Sequence, residues 1–193
     1  MNSPIRYAIT LFSGFLQELG SAGSGLVGLQ RDIELLTTHR RDVRVGLYPW
    51  KADASDIAES LWRYRPLENG NNPEQEHIVI GYSYGGDRAV KFTRELETRG
   101  GCTVRCLLLC DAVRRWDYLP GVAAGCGIGQ LTLPQIVEKC VYYVQRNPRW
   151  GLRKDPFQPA GHKVVAGAAT NLVGPVVKKS SHSYIDNSIQ FRS

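Results

Sequence analysis

Methionine occurs once in this chain of 193 residues, at position 1, and histidine four times. Cysteine occurs five times, an odd number in a chain long enough to bury a core without disulfide staples. Reduced thiols and a cytoplasmic address are therefore expected. Long apolar runs are missing. The longest uncharged stretch, Tyr118 to Val137, holds two prolines and four glycines and makes a poor helix, so no integral membrane association is expected. The N-terminus lacks the basic-then-apolar pattern of a secretory leader, because a strand-like run begins by Ile5. No fixed-period repeat or low-complexity tract is present, which excludes solenoids and fibres. With 42% apolar residues the chain is too hydrophobic for disorder and describes one soluble domain over 1–193.

Acidic residues are also in deficit, 18 Asp and Glu against 24 Lys and Arg, which leaves a formal charge of +6. The basic residues fall in small groups, at Arg40–Arg41, Arg114–Arg115, Arg146 to Lys154 and Lys178–Lys179. A nucleic-acid binder gathers them on one element with aromatics between. Here they mark the ends of different segments, so solvated faces are expected and a nucleic-acid partner is not.

What is present is an alternation of apolar runs with amphipathic stretches, which predicts an α/β fold with a mainly parallel sheet and helices on both faces. Strands are predicted over Ile5–Phe12, Val43–Trp50, Ile78–Tyr82, Thr103–Cys110 and Cys140–Gln145. Helices are predicted over Gly28–Thr38, over Asp53–Tyr64 with Asp53 or Ser55 as cap, and over Tyr84–Arg99, ended by Gly100–Gly101. Lys163–Ala169 and Val176–Lys179 are read as a sixth strand and a return strand, the latter possible in antiparallel sense. Residues 112–136 carry no strong helix.

The stretch that carries chemistry is His77 to Val90, HIVIGYSYGGDRAV. It runs from a buried strand through Gly81-Tyr82-Ser83-Tyr84-Gly85-Gly86 into a helix, the order that a nucleophile elbow requires. Its glycines remove side chains that clash in a tight strand-to-helix turn, and the helix aims its N-terminal amides and positive dipole end at the serine. Asp111 closes the next strand at its carboxyl end, the edge where sites form in open parallel sheets.

On these residues the chain resembles the α/β-hydrolase superfamily, in particular its small lipase-, esterase- and thioesterase-like members. The resemblance runs from Ile5 to Ile189 and implies a three-layer α/β sandwich of reduced strand number, the family's third to eighth strands. It implies Ser83 as nucleophile and a histidine after the last strand. His182, in Ser180-Ser181-His182-Ser183-Tyr184-Ile185-Asp186, resembles the family's histidine loop, whereas His39 and His77 precede Ser83 and His162 opens a strand. Asp111, 28 residues after the serine, resembles the acid of some small members of the family, with Asp155 as the rival that most of the superfamily's order favours. The implied oxyanion donors are the amides of Tyr84 and of Phe15, with Leu16 beside it, in Phe12-Ser13-Gly14-Phe15, which resembles the family's His-Gly turn with serine in place of histidine.

Rival motifs are weak. Gly23-Ser24-Gly25-Leu26-Val27-Gly28 matches a dinucleotide fingerprint, but it stands about ten residues beyond the first strand and no acid ends the second. A flexible loop rimming the site is expected there, with no cofactor. Cys102, Cys106 and Cys110 recur every fourth residue, which on a strand places them on one face, and no zinc spacing is present, so no metal is expected. The segment 118–137 falls where related hydrolases insert a lid, with Leu119, Val122, Ile128 and Leu131 expected to line an acyl groove. The resulting expectation is a serine hydrolase acting on a small-molecule or lipid acyl ester or thioester. The alternative is a non-catalytic protein of the same fold that binds through the same crevice.

Overall fold

The apolar runs become strands whose side chains alternate between two helical layers, as seen in a computed structural model that describes residues 4–14, 25–66, 75–113, 130–145 and 163–178. The strands are β1 (Tyr7–Phe12), β2 (Val43–Tyr48), β3 (Gln75–Tyr82), β4 (Cys102–Cys110), β5 (Gln130–Thr132), β6 (Lys139–Gln145), β7 (Lys163–Val165) and β8 (Asn171–Lys178). The helices are α1 (Gly25–Thr37), α2 (Ala54–Arg63) and α3 (Tyr84–Arg99). Six strands form one sheet in the order β2-β1-β3-β4-β6-β8, and every pairing in it is parallel. The first five positions of that order are the doubly wound 2-1-3-4-5 pattern, whose switch point lies between β1 and β3.

Both faces of the sheet are covered at its central strands. Ala8, Phe12, Val79 and Leu107 pack with Ile57 and Leu61 of α2 and with Phe92 and Leu96 of α3. On the other face Leu11, Ile80, Tyr82 and Cys110 pack with Leu26 of α1. Phe92 is wholly buried and contributes about 1.5–3 kcal/mol by leaving water. The helix ends follow the sequence signals. The Asp53 carboxylate accepts from the amides of Ser55 (2.7 Å) and Asp56 (3.2 Å) at the start of α2. Gly100 and Gly101, at φ 67° and 69°, end α3 in a conformation that side chains disfavour.

Four expectations need correction. First, Val176–Lys179 is not a separate return strand. Asn171–Lys178 forms one strand, β8, parallel to β6, and Lys163–Val165 pairs instead with β5 in a separate two-stranded parallel sheet. The cis Gly174–Pro175 bond lies inside β8, so the sequence shows a break where the edge strand continues. Second, Gly25–Gly28 is not loop but the first turn of α1, because Leu26 is drawn wholly into the core.

Third, the cysteines do not share one face. The register of β3 with β4 passes from His77↔Val104 to Ile78↔Cys106, so Arg105 is a bulge residue. One extra residue reverses the alternation. Cys102 therefore packs against α2 and α3, while Cys110 packs on the opposite face. Fourth, the described part of the expected lid, 130–137, is not a lid. Leu131 is buried in the core, and Val137 bridges Val104 near the start of β4, at the end of the sheet remote from Ser83. Residues 118–129 lie outside the described residues, as do Leu119, Val122 and Ile128.

Candidate active site

β3 and β4 end level with one another, since Tyr82 pairs with Cys110, while β6 runs two residues past the Tyr143 that pairs with Cys110. The residues that follow the Tyr82–Cys110 pair, Ser83 and Asp111, therefore stand side by side at the carboxyl edge, their backbones about 5 Å apart. β1 ends one residue short of that level, because Phe12 pairs with Gly81. This is the switch-point crevice between β1 and β3, where open parallel sheets bind ligands.

Ser83 sits at φ 55° and ψ −125°, a sparsely populated conformation for a residue with a side chain, which costs on the order of 1–3 kcal/mol. Hydrogen bonds around the turn hold it there. The Ser83 amide donates to the Cys110 carbonyl (3.0 Å), and the Ser83 carbonyl accepts from the amides of Gly86 and Val113 (2.9 Å each). Thus the turn at the end of β3 is bonded to the turn at the end of β4, on both sides of Asp111. The Asp111 amide in turn donates to the Tyr143 carbonyl (2.9 Å), with φ 49°. The Asp111 side chain is wholly buried and Ser83 is 5% exposed.

Close approach explains the glycines. A Cβ on Gly85 would strike the Phe12 carbonyl, and one on Gly86 would strike Ala112, next to Asp111. A Cβ on Gly14 would lie 2.9 Å from that of Ser83. Gly14 thus brings the end of β1 onto the serine, while the amide of Ser13 is fixed to the Tyr48 carbonyl at 2.9 Å. Tyr84 opens α3, where the helix dipole is positive and favours an anion.

The structure brings together Ser83, Tyr84 and Asp111 of the residues that the sequence singles out. His182, Phe15, Leu16 and Asp155 lie outside the described residues. Of the other histidines, His77 lies six residues before Ser83 on the same strand, about 20 Å away. Its ring is buried against Phe92, and burial lowers its pKa from 6.5 to about 4. Burial has the opposite effect on the Cys140 thiol, which is pushed up to about 12 and made a poor nucleophile. Among the described residues, no three His, Cys, Asp or Glu side chains gather as a metal set, and no helix is long and apolar enough to cross a membrane.

Sequence reasoning missed one part of this edge. It treated Trp50 as the end of a strand, whereas β2 stops at Tyr48 and Trp50 turns its ring onto Tyr84, with centroids 5.5 Å apart. Pro49, which cannot donate to a strand ladder, was the available signal.

No family model matches the chain, and no curated protein does. Among solved structures it is similar to RedJ with a polyethylene glycol molecule bound in the active site, at 13% identity and a TM-score of 0.46, over 96% of this chain and 84% of that one. It is also similar to a protein assigned as a hydrolase from Agrobacterium vitis S4, at 13% identity and a TM-score of 0.37, over 98% and 90%. At these scores the likeness says nothing of activity, and the α/β architecture stands on the sheet order itself.

Proposed function

We propose that this chain is a serine hydrolase of α/β-hydrolase type that cleaves a carboxylic ester or thioester through an acyl-enzyme. The observation that supports this most is the conformation of Ser83, φ 55° and ψ −125°, at the carboxyl end of β3 and the start of α3. A strained serine on a strand-to-helix turn lifts its hydroxyl to the sheet edge, and the helix amides behind it meet developing negative charge.

In this reading the Ser83 hydroxyl attacks the acyl carbon and gives its proton to His182. The amides of Tyr84 and Phe15 hold the oxyanion, and Asp111 orients His182 and stabilises its charged form. His182 then protonates the leaving alcohol or thiol and activates the water that releases the acid. The hydrogen bonds that join the two strand-end turns keep Ser83 and Asp111 at a fixed separation, which is what a shared histidine needs. The substrate is a small-molecule or lipid acyl compound, with no cofactor required.

The test is turnover of p-nitrophenyl acyl esters and of acyl thioesters by the wild type and by Ser83→Ala. The reading predicts burst kinetics and hydrolysis that the substitution abolishes. Equal rates for the two proteins would overturn it.

A further inference from the structure

Most aromatic contacts among the described residues are core. Phe12 and Phe92, paired at 5.5 Å, are both wholly buried. Trp50 and Tyr84 differ. Their rings stack at 5.5 Å with a 39° tilt, yet both residues are only half-buried and neither belongs to a core cluster. Tyr84 directly follows Ser83, and Trp50 lies just beyond the carboxyl end of β2, so the pair stands at the rim of the crevice.

The pair is also held in place. Arg88 follows Tyr84 by four residues and so lies on the same face of α3. Its Nε donates to the Trp50 carbonyl at 2.9 Å. The turn that carries Trp50 is closed from the other side, where the Ala52 amide donates to the Pro49 carbonyl at 2.9 Å. Two large rings kept rigid at a nucleophile's edge, outside the core, offer a flat, polarisable surface.

We infer that Trp50 and Tyr84 form a ring-binding shelf beside Ser83, with Arg88 as its positioning residue, and that the shelf selects a substrate bearing a flat aromatic group over one bearing a flexible alkyl chain. The inference rests on the nucleophilic role proposed for Ser83. A further ring meets the tilted pair in the offset or edge-on geometry that aromatic groups favour, and a planar group loses little freedom on docking. An aromatic contact of this kind is expected to give a three- to tenfold preference, roughly.

Two sulfonyl fluorides of similar size test this, phenylmethanesulfonyl fluoride and hexanesulfonyl fluoride. In each case the Ser83 oxygen bonds to sulfur, the S–F bond breaks, fluoride leaves and the serine proton passes to the base. The inference predicts faster labelling by the aryl reagent in the wild type. Trp50→Leu should erase that preference by slowing the aryl reaction by more than the alkyl one. Trp50→Phe, which keeps a ring on the shelf, should retain it, and Arg88→Ala, which releases the Trp50 carbonyl, should weaken it. Equal aryl and alkyl rates in the wild type, or a preference that survives Trp50→Leu, would overturn the inference and leave the hydrolase reading standing. Failure of both reagents to label the folded wild type would overturn both.

Discussion

Ser83 and Asp111 are the two non-glycine residues, among those described, with a positive φ, and they follow directly paired positions on adjacent strands. Each turn holds a conformation of cost on the order of 1–3 kcal/mol, and the two are bonded through Ser83–Cys110 and Val113–Ser83. Strain persists only where the surroundings over-determine it, and here the same backbone bonds restrain both residues.

Gly86→Ala tests that coupling. Its methyl group would meet Ala112, beside Asp111, and the contact is expected to cost about 1–3 kcal/mol of stability, read from denaturant midpoints. Because the displacement falls between the two strained turns, Ser83 labelling should slow by more than the stability loss accounts for.

The acid is identified by comparing Asp111→Asn with Asp155→Asn. Amidation of a triad acid in place leaves the histidine misoriented and lowers turnover by roughly 10³-fold or more. The account expects that loss at Asp111 with an unchanged melting temperature, and little effect at Asp155.

Stability should fall in acid through His77. The Gln75 amide nitrogen donates to the carbonyls of Ile5 (2.8 Å) and Leu61 (3.2 Å), so its oxygen faces His77 Nε2 at 3.0 Å and must accept from it. Nδ1 is then a bare acceptor, buried without a partner. The folded pKa, about 4, lies below the unfolded value of 6.5, so the unfolded chain takes up the proton first. The stabilisation is whole above pH 6.5 and is lost as pH falls toward 4, by up to about 3 kcal/mol. Urea unfolding between pH 4 and 7 should show a steeper slope for the wild type than for His77→Leu.

Thiol reagents should not inhibit hydrolysis. Burial raises the pKa of Cys106 and takes that of Cys140 to about 12, which leaves little thiolate in the native state. Among the described cysteines, iodoacetamide at pH 8 is expected to modify the half-buried Cys106 before the buried Cys102, Cys110 and Cys140, and activity should survive.

The legible parts of this molecule are those where local chemistry and tertiary context agree. The elbow could be read because Gly81, Gly85 and Gly86 flank a serine between an apolar run and an amphipathic one, and the structure uses two of them for backbone contact with β1 and with Ala112. β8 could not, because Gly174–Pro175 interrupts a strand that an edge position tolerates. Nor could the faces of the cysteines, since periodicity carries no sign of a bulge at Arg105. β5, at three residues, is too short for any pattern to announce, and of the strand expected over Lys163–Ala169 only Lys163–Val165 forms, as β7. That Ser83, Tyr84 and Asp111 meet at the carboxyl edge of the sheet was legible from the order of strands and helices, whereas the stacking of Trp50 on Tyr84 depends on a turn after Pro49 that brings distant residues together.

The central claim is that Ser83 is an activated nucleophile. Incubation with a fluorophosphonate, followed by intact mass and peptide mapping, tests it most directly. The account predicts one phosphonyl adduct per chain, on Ser83, and none on folded Ser83→Ala. A folded wild type that takes up no adduct, or one that carries it elsewhere, would contradict the account and leave a binding protein built on the same crevice.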